Sequence, residues 1–135
     1  MLLSRKGVLA VAAVIDVALN SEERPVSAKA LASRHGLPPR HLEPVLQALV
    51  HDGILRGVRG PRGGYELGRE QQSITAAEIL RAAGTVDDST DHHLPIDGLV
   101  GEVVLPAIAQ AERAFSTALG QISVEDLVIR ASAKR

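Results

Sequence analysis

Residues 42–67 read LEPVLQALVHDGILRGVRGPRGGYEL, and this stretch decides the fold. Its first half carries apolar residues at positions i, i+3, i+4, i+7 and i+8, the spacing of a buried helix face. These residues are Leu42, Val45, Leu46, Leu49 and Val50. Gly53 then supplies a typical helix stop. Two short extended runs follow, 54–58 and 64–67, and the five residues between them predict a hairpin.

The tip of this hairpin carries Arg59 and Arg62 and almost no apolar side chain. Because it has little to bury, we expect it to hold positive charge where a phosphate backbone can reach it. Ordinary solvated loop charges are the alternative. The glycines at 60, 63 and 64 match neither of the common phosphate-loop fingerprints, so turn geometry explains them better.

Composition narrows the class of protein. With 135 residues, of which 45% are apolar, the chain suits one compact domain with an appendage. The absence of cysteine excludes disulfides, thiolate chemistry and cysteine-bound clusters. Tyr65 and Phe115 are the only aromatic residues, which argues against base stacking. Asp16 interrupts the longest aliphatic run, which is too short for a bilayer, so we expect a cytoplasmic protein with no membrane partner.

The net charge of −1 hides an asymmetry between the two halves of the chain. Residues 1–84 carry eleven Lys and Arg against eight Asp and Glu, an excess of +3. Residues 85–135 carry four against eight, an excess of −4. The positive excess therefore lies in the half that contains the hairpin, where its placement matters more than its size.

The N-terminal third predicts two helices before the quoted stretch. Ser4 can cap the first helix. Its expected inward face consists of Val8, Ala12, Ile15 and Leu19, widened by Val11 and Ala18. Ser27 caps a second helix over 28–35 with Leu31 facing inward, and Gly36 makes the turn to the third. Two short helices joined by a turn and followed by a basic hairpin predict a winged helix-turn-helix.

Proline sets the start of the third helix and also disturbs it. Pro38 and Pro39 suit a first turn. Pro44 does not suit a helix interior, because its ring crowds the carbonyl group of Arg40. We expect the helix to begin near Arg40 or His41, which leaves Pro44 in or just past the first turn; a local kink is the alternative.

The C-terminal half predicts a long helix. Thr75 and Glu78 form a capping box for a fourth helix ending at Gly84, and an acidic loop covers 85–95. Apolar residues then recur at heptad spacing. They are Val104, Ile108, Ala111, Phe115, Ala118 and Ile122. Pro106 marks a kink or the helix start, Ser123 begins a last short helix, and 131–135 reads as a frayed tail. A narrow apolar stripe needs a partner, and we expect a second copy of the chain; packing on its own domain is the alternative.

The chain resembles the IscR/NsrR-type family of bacterial transcription regulators, also called the Rrf2 (Rrf-two) family. The resemblance rests on SRKG at 4–7, DVALN at 16–20, HLE at 41–43 and, most specifically, VRGPRGGY at 58–65. It covers roughly residues 1–84 and continues weakly to Leu127. It implies a winged-helix homodimer, crossed by long C-terminal helices, on a near-palindromic operator. The DNA-reading positions that it implies are Arg40, His41, Glu43 and Arg59, and Arg62 adds a charge where the family often has a small residue.

The chain departs from the resemblance at the sensor loop. Cluster-binding members place three cysteines after the fourth helix, whereas the corresponding loop here has none. Cluster sensing is therefore not carried over, and we expect no cofactor. His92 and His93, with Asp87, Asp88 and Asp91, could hold a metal, but adjacent histidines rarely face one ion, so a solvated acidic loop is favoured.

These observations predict a mainly helical fold in three parts. Residues 1–84 form the winged helix-turn-helix, 85–96 the acidic loop, and 97–135 a dimerisation helix with a short terminal helix. We expect a repressor that binds an operator as a homodimer, with Ser27 meeting a phosphate at a helix N-terminus. Glu43 either balances Arg40 or accepts a hydrogen bond from a cytosine amino group. A dimeric module that binds a protein or a small effector is the alternative; no catalytic arrangement of side chains supports an enzyme.

Overall fold

The computed structural model describes residues 4–84 and 98–134. The helices are α1 (Arg5–Asn20), α2 (Ala28–Arg34), α3 (Pro39–His51), α4 (Ala76–Ala82), α5 (Leu105–Gly120) and α6 (Val124–Ala133). Strands β1 (Leu55–Val58) and β2 (Gly64–Leu67) form one antiparallel hairpin. A 3₁₀ turn (Gln71–Ser73) precedes α4, and a π-helical turn (Val100–Val104) leads directly into α5. The predicted winged helix-turn-helix with a two-stranded wing is confirmed.

The core lies between α1, α3 and α4, and its side chains are aliphatic throughout. Val14 of α1, Leu46 of α3 and Ile79 of α4 have no exposed surface. Leu31 of α2 is equally buried, as predicted, and so is Val124 at the first position of α6. Helix α6 therefore contributes to the same core as the helix-turn-helix, and it packs against α1.

The predicted inward face of α1 is wrong except at Ala18, which is buried as expected. The helix buries a different stripe, made of Gly7, Ala10, Ala13, Val14, Asp16, Val17 and Ala18. Val8 is 48% exposed, and Ala12, Ile15 and Leu19 are only half-buried. The helix is apolar on nearly every side, so spacing alone could not tell which stripe faces inward. The small residues of the buried stripe let neighbouring elements approach α1 closely.

Helix α3 begins at Pro39 and ends in a glycine cap, as predicted for its C-terminus. Gly53 adopts a φ of 77°, and the amides of Gly53 and Ile54 donate to the carbonyls of Val50 and Leu49, each at 3.0 Å. This is the paired bonding that closes a helix with a left-handed glycine. Since the helix starts one residue before Arg40, Pro44 is its sixth residue and lies within the second turn, deeper than expected. Pro44 and Arg40 are both exposed, so water can bond the carbonyl that Pro44 leaves without a donor.

The hairpin is fixed to the body through its second strand. Leu55 pairs with Leu67 and Val58 with Gly64, so β1 begins one residue later than predicted. In addition to its pairing with β1, Tyr65 of β2 exchanges two main-chain hydrogen bonds with Val26, at 2.8 and 2.9 Å. Val26 immediately precedes the cap of α2, so the wing is joined directly to the helix-turn-helix. A Cβ atom on Gly64 would lie 2.4 Å from the carbonyl oxygen of Val26, which explains why this position is a glycine.

Main-chain hydrogen bonds also join the C-terminal helices to the body. The amide of Ala76 donates to Ile122, and that of Val124 donates to Ile74, both at 2.8 Å. Ser123 and Asp126 form a complete capping box at the start of α6. At α4 the box is only half formed: Thr75 accepts from the amide of Glu78, as expected, but the Glu78 side chain pairs with Arg69 instead.

Of the predicted frayed tail and the predicted acidic loop, the structure describes only the tail. The frayed tail is wrong for residues 131–133, because α6 continues to Ala133. The acidic loop 85–95, with its aspartates and with His92 and His93, lies outside the described residues. Within 4–84 and 98–134, no helix combines the length and the hydropathy needed to cross a membrane.

Candidate nucleic-acid interface

The solvent face of α3 is polar and carries the predicted reading residues near its N-terminus. Helical periodicity of about 100° per residue puts Arg40 and Gln47 opposite the buried stripe, with His41 and Glu43 on either flank. All four side chains are exposed. Among the described residues, Arg40 has no carboxylate within ion-pair distance. The helix thus offers a cation, an imidazole, a carboxylate and an amide, which are the groups that read base edges in a major groove.

The wing tip is a tight turn that exposes two arginines. The amide of Gly63 donates to the carbonyl of Gly60 at 2.9 Å, with Pro61 and Arg62 between them. A Cβ on Gly63 would lie 2.2 Å from the carbonyl oxygen of Val58, so only glycine allows the strands to close here. Arg59 and Arg62 are exposed, and neither pairs with a carboxylate of the described residues. Their charge is therefore available to a phosphate.

A cleft of about 490 Å³ separates α3 from the wing. Gln47 and Val50 line it from the helix, and Arg59 and Tyr65 line it from the wing. The remaining lining is largely glycine backbone of the hairpin. This cleft brings the predicted wing residue Arg59 next to the outer face of α3, so both can meet one extended ligand. Gln47 was not predicted, although its i+4 spacing from Glu43 could have identified it.

A second cleft, of about 340 Å³, lies on the other side of the wing tip. It brings Ser27 and Arg62, two predicted residues, next to Arg24 and Arg34, which were not predicted. The Ser27 hydroxyl accepts a hydrogen bond from the amide of Ala30 at 3.0 Å, so it caps α2. Its own O–H remains able to donate to a ligand. Arg40, His41 and Glu43 line neither cleft.

Asp16 joins α1 to the end of α2, a role that was not predicted from the sequence. The Arg34 guanidinium donates hydrogen bonds to the carboxylate of Asp16, with Nε 2.9 Å from Oδ2 and Nη2 2.6 Å from Oδ1. His35 Nε2 donates to Oδ2 at 3.0 Å, and Asn20 Nδ2 donates to Oδ1 at 3.0 Å. Asp16 is only 7% exposed. A single carboxylate thereby fixes the C-terminal end of α2, and with it the turn that leads to α3.

Charge and hydrogen bonding keep Asp16 ionised. Burial by itself raises the pKa of a carboxyl group, because it disfavours the charged form. The hydrogen bonds from Arg34 and Asn20, and the charges of Arg34 and His35, outweigh burial and hold the pKa of Asp16 below its usual value. The same hydrogen bond raises the pKa of Arg34. The only sign of this pair in the sequence is an aspartate within an aliphatic run.

The predicted heptad residues, in α5 and directly next to it, divide into two groups. Val104, in the π-helical turn, and Ile108, Ala111 and Ala118 of α5 are exposed, whereas Phe115 of α5 and Ile122, just beyond it, are half-buried. Leu99 and Val103, just before α5, are 72% and 56% exposed. No residue of α5 is fully buried. The helix therefore presents an apolar edge that the described part of this chain does not cover.

The chain matches the model of a known protein family. The model of the Rrf2 family, described as "Iron-dependent Transcriptional regulator", matches residues 3–130. The chain is also similar to the HTH-type transcriptional regulator IscR of Escherichia coli, with 43% identity over 91 residues. That match covers 67% of this chain and 54% of the relative, so the chain spans about half the length of the curated relatives that it matches.

Solved structures agree over nearly the whole chain. T. potens IscR superposes with a TM-score of 0.78 at 31% identity, covering 96% of this chain and 87% of that one. CymR of B. subtilis, titled the global cysteine regulator, superposes with a TM-score of 0.73 at 28% identity, covering 95% and 96%. The similarity therefore includes the C-terminal helices as well as the winged helix.

The family description contains the word "iron", so the side chains of this chain are compared with those that an iron site needs. A thiolate-bound iron–sulfur cluster needs cysteines, and this chain has none. Residues 4–84 and 98–134 contain no group of three or more His, Asp or Glu side chains placed to hold a metal ion. The residues of this chain therefore do not fit such a cluster.

Proposed function

Because the chain belongs to the Rrf2 family of transcriptional regulators, we propose that it regulates transcription by binding DNA as a homodimer. Members of this family are regulators and not enzymes, as the sequence predicted. The proposed role is that of a cytoplasmic repressor that occupies a near-palindromic operator without an iron–sulfur cluster. Residues 1–84 carry the DNA contacts and residues 97–135 carry the pairing of two copies.

The observation that carries the proposal is the pairing of two polar surfaces across one cleft. The solvent face of α3 and the arginine-tipped wing lie side by side, and the wing is braced against α2 by the Val26–Tyr65 bridge. Neither Arg40 nor the wing arginines have a carboxylate partner among the described residues. Unpaired arginines on a rigid frame suit a polyanion, because their charge is not already neutralised inside the protein.

Each candidate residue takes a role that fits its chemistry. Helix α3 lies in the major groove, where Arg40 and His41 approach base edges. Glu43 can accept a hydrogen bond from a cytosine amino group. Arg59 reaches the backbone or an adjacent minor groove, and the Ser27 hydroxyl donates to a phosphate oxygen.

The exposed edge of α5 supports the homodimer. A contiguous apolar edge on a helix marks an interaction site, and a second copy of the same helix offers a matching surface by symmetry. Val104, Ile108, Ala111 and Ala118 make this contact, and the half-buried Phe115 and Ile122 complete the same heptad stripe. Two winged helices are then held at a fixed separation, which suits an inverted repeat in DNA.

Replacing Arg59 and Arg62 together by Ala tests the proposal. We expect weaker duplex binding and a plot of log affinity against log salt that is flatter by about one unit for each phosphate that the variant no longer neutralises. The matched control is the double substitution of Arg113 and Arg130 by Ala, which removes the same charge from exposed positions of α5 and α6. Binding is measured by gel shift on duplexes selected from a random pool.

The possible results separate the candidate functions. A wing variant that binds as tightly as the parent at every salt concentration would show that the wing does not contact DNA. A parent that binds no selected duplex would contradict the regulator itself, and would favour the dimeric module that recognises a protein or effector. The acidic half of the chain, with its net charge of −4 over residues 85–135, is what such a module would use.

A further inference from the structure

The cleft of about 340 Å³ on the far side of the wing is lined by arginines that take no part in the base-reading contacts proposed for α3. It is bounded by three arginines from three separate segments: Arg24 in the loop between α1 and α2, Arg34 at the end of α2, and Arg62 at the wing tip. The Ser27 hydroxyl and the Asn20 amide line the same space. No aspartate or glutamate of the described residues lines it. Such a set of donors without acceptor charges is suited to an anion.

The three arginines are not equivalent. Arg34 is held by Asp16, which engages its Nε and Nη2 groups and balances its charge. Among the described residues nothing engages its Nη1 group, so those donors can serve a ligand. Arg24 and Arg62 are exposed and have no carboxylate within ion-pair distance in the described residues. Two unbalanced charges therefore flank one fixed guanidinium, and planar guanidinium groups match phosphate oxygens well.

The size and position of the cleft indicate that the anion is a phosphate group of a nucleic-acid strand. The cleft volume of about 340 Å³ is that of roughly ten water molecules at about 30 Å³ each, enough for a phosphate and part of its sugars. Gly63 lines both this cleft and the cleft between α3 and the wing. The wing tip therefore separates the two spaces, and a nucleic-acid strand that passes the wing tip can reach both.

We propose that this cleft is a phosphate-binding site, in which Arg24 and Arg62 hold a backbone phosphate of the bound DNA against Arg34 and Ser27. The proposal rests on the function proposed above and extends it, because it adds Arg24 and Arg34 to the phosphate contact already proposed for Ser27. The site positions the duplex and reads no sequence, since every backbone phosphate is alike. Arg24 thereby becomes a DNA-positioning residue, and Asp16 becomes the residue that orients Arg34.

The test combines protein variants that lack one arginine charge with DNA duplexes that lack one phosphate charge. The protein variants are Arg24→Gln and Arg62→Gln, with Arg113→Gln as the matched control on the outer face of α5. The DNA is a selected duplex in which one phosphate at a time is replaced by an uncharged methylphosphonate. For the parent and the control, neutralisation should weaken binding at each phosphate that the protein contacts, and one such position in each half-site, the phosphate held by this cleft, should weaken it about 10-fold. The Gln variants should bind more weakly by a similar factor and should lose their sensitivity at that same position.

A second arm distinguishes a DNA phosphate from a free one. Inorganic phosphate is titrated into the protein without DNA, and amide chemical shifts around Arg24 and Arg62 are followed by NMR. Saturable shifts in the parent that vanish in both Gln variants support phosphate binding by the cleft. The methylphosphonate result then identifies the source of that phosphate.

Three results would overturn the assignment. If the Gln variants keep the full methylphosphonate pattern of the parent, the cleft does not hold the DNA backbone, and saturable phosphate shifts would then reassign it to a free phosphate compound. If neither arm responds to the Gln substitutions, the cleft binds no phosphate. If the parent binds no duplex at all, the proposed function fails, and the phosphate titration alone decides what the cleft binds. Thermal unfolding of each variant checks that these exposed substitutions leave the fold intact.

Discussion

At the scale of single residues, Asp16 joins the first helix to the end of the second within the helix-turn-helix. It is a buried charge, and a buried charge is costly unless it is paired and hydrogen-bonded. Here four hydrogen-bonding groups surround it, namely the guanidinium Nε and Nη2 of Arg34, the imidazole of His35 and the amide of Asn20. Since Asp16 lies on α1 and its partners lie mostly at the end of α2, the carboxylate sets how the two helices meet.

The first prediction concerns the substitution of Asp16 by Asn. We expect a loss of about 1–3 kcal/mol in the free energy of unfolding, below the range for a fully buried pair because Arg34 is partly exposed. Urea unfolding at neutral pH measures the loss. The matched control is Asp52→Asn at the end of α3, an exposed position that should change stability by less than about 0.5 kcal/mol.

The same substitution should alter the dependence of stability on pH. The folded pKa of Asp16 lies below its usual value of 3.8, so between the two values the unfolded chain binds more protons than the folded one. The contribution of Asp16 is therefore complete above about pH 4–5 and is lost as the pH falls through the folded pKa. The Asn variant should lose less stability over this acid range than the parent. Equal losses in the two proteins would contradict the pairing.

At the scale of elements, the wing is held by its second strand and not by its tip. The bridge between Tyr65 and Val26 depends on the close approach of Gly64, where a Cβ would meet the carbonyl oxygen of Val26 at 2.4 Å. Gly57 lies opposite Tyr65 in β1, and a Cβ there would meet nothing within 4 Å. Close packing therefore requires a glycine at position 64 and leaves room for a side chain at position 57.

The second prediction uses this pair of glycines. Gly64→Ala should destabilise the protein by about 1–3 kcal/mol, the usual cost of forcing extra volume into a packed contact. It should also release the wing from α2, because the strand must move away from Val26. Hydrogen exchange at the amide of Tyr65 measures that release. Gly57→Ala should leave both quantities nearly unchanged, and an equal effect of the two substitutions would show that the bridge does not hold the wing.

The elements themselves were largely predictable from the sequence, because their signals are local. The cap at Ser27, the apolar spacing of 42–50, the glycine stop at 53 and the hairpin over 54–67 act within a few residues, and each appears in the structure. The buried face of α1 was not predictable, because a helix that is apolar on most sides carries no periodic signal. The Asp16–Arg34 pair and the inclusion of Arg24 in a cleft depend on contacts between distant segments, which spacing along the chain does not report.

At the scale of the whole molecule, the described residues leave an apolar edge uncovered and a basic surface unpaired. The uncovered edge runs from Leu99 through Ile108 along α5, and the basic surface comprises the wing tip and the N-terminal end of α3. The two surfaces have different requirements. Apolar surface needs exclusion from water, and unbalanced arginines need a polyanion. A pair of chains joined along α5 on one duplex meets both requirements at once.

The proposed contact between two copies can be tested at one position with a matched control. Ile108→Glu puts a charge on the exposed heptad edge, where Ile108 is 51% exposed. Gln110→Glu adds the same charge two residues away, on the outward side of the heptad. The first substitution should separate the two copies, because burying an unpaired carboxylate in an apolar contact is costly. The second should leave the two copies together.

The most direct measurement is to sequence the duplexes that the protein selects from a random pool. The parent and the Gln110→Glu variant should select two inverted half-sites whose centres lie about 10 base pairs, or a multiple of that, apart. The Ile108→Glu variant should select a single half-site or none. Selection of a single half-site by the parent, or of the same paired motif by Ile108→Glu, would contradict the account of two copies acting on one operator.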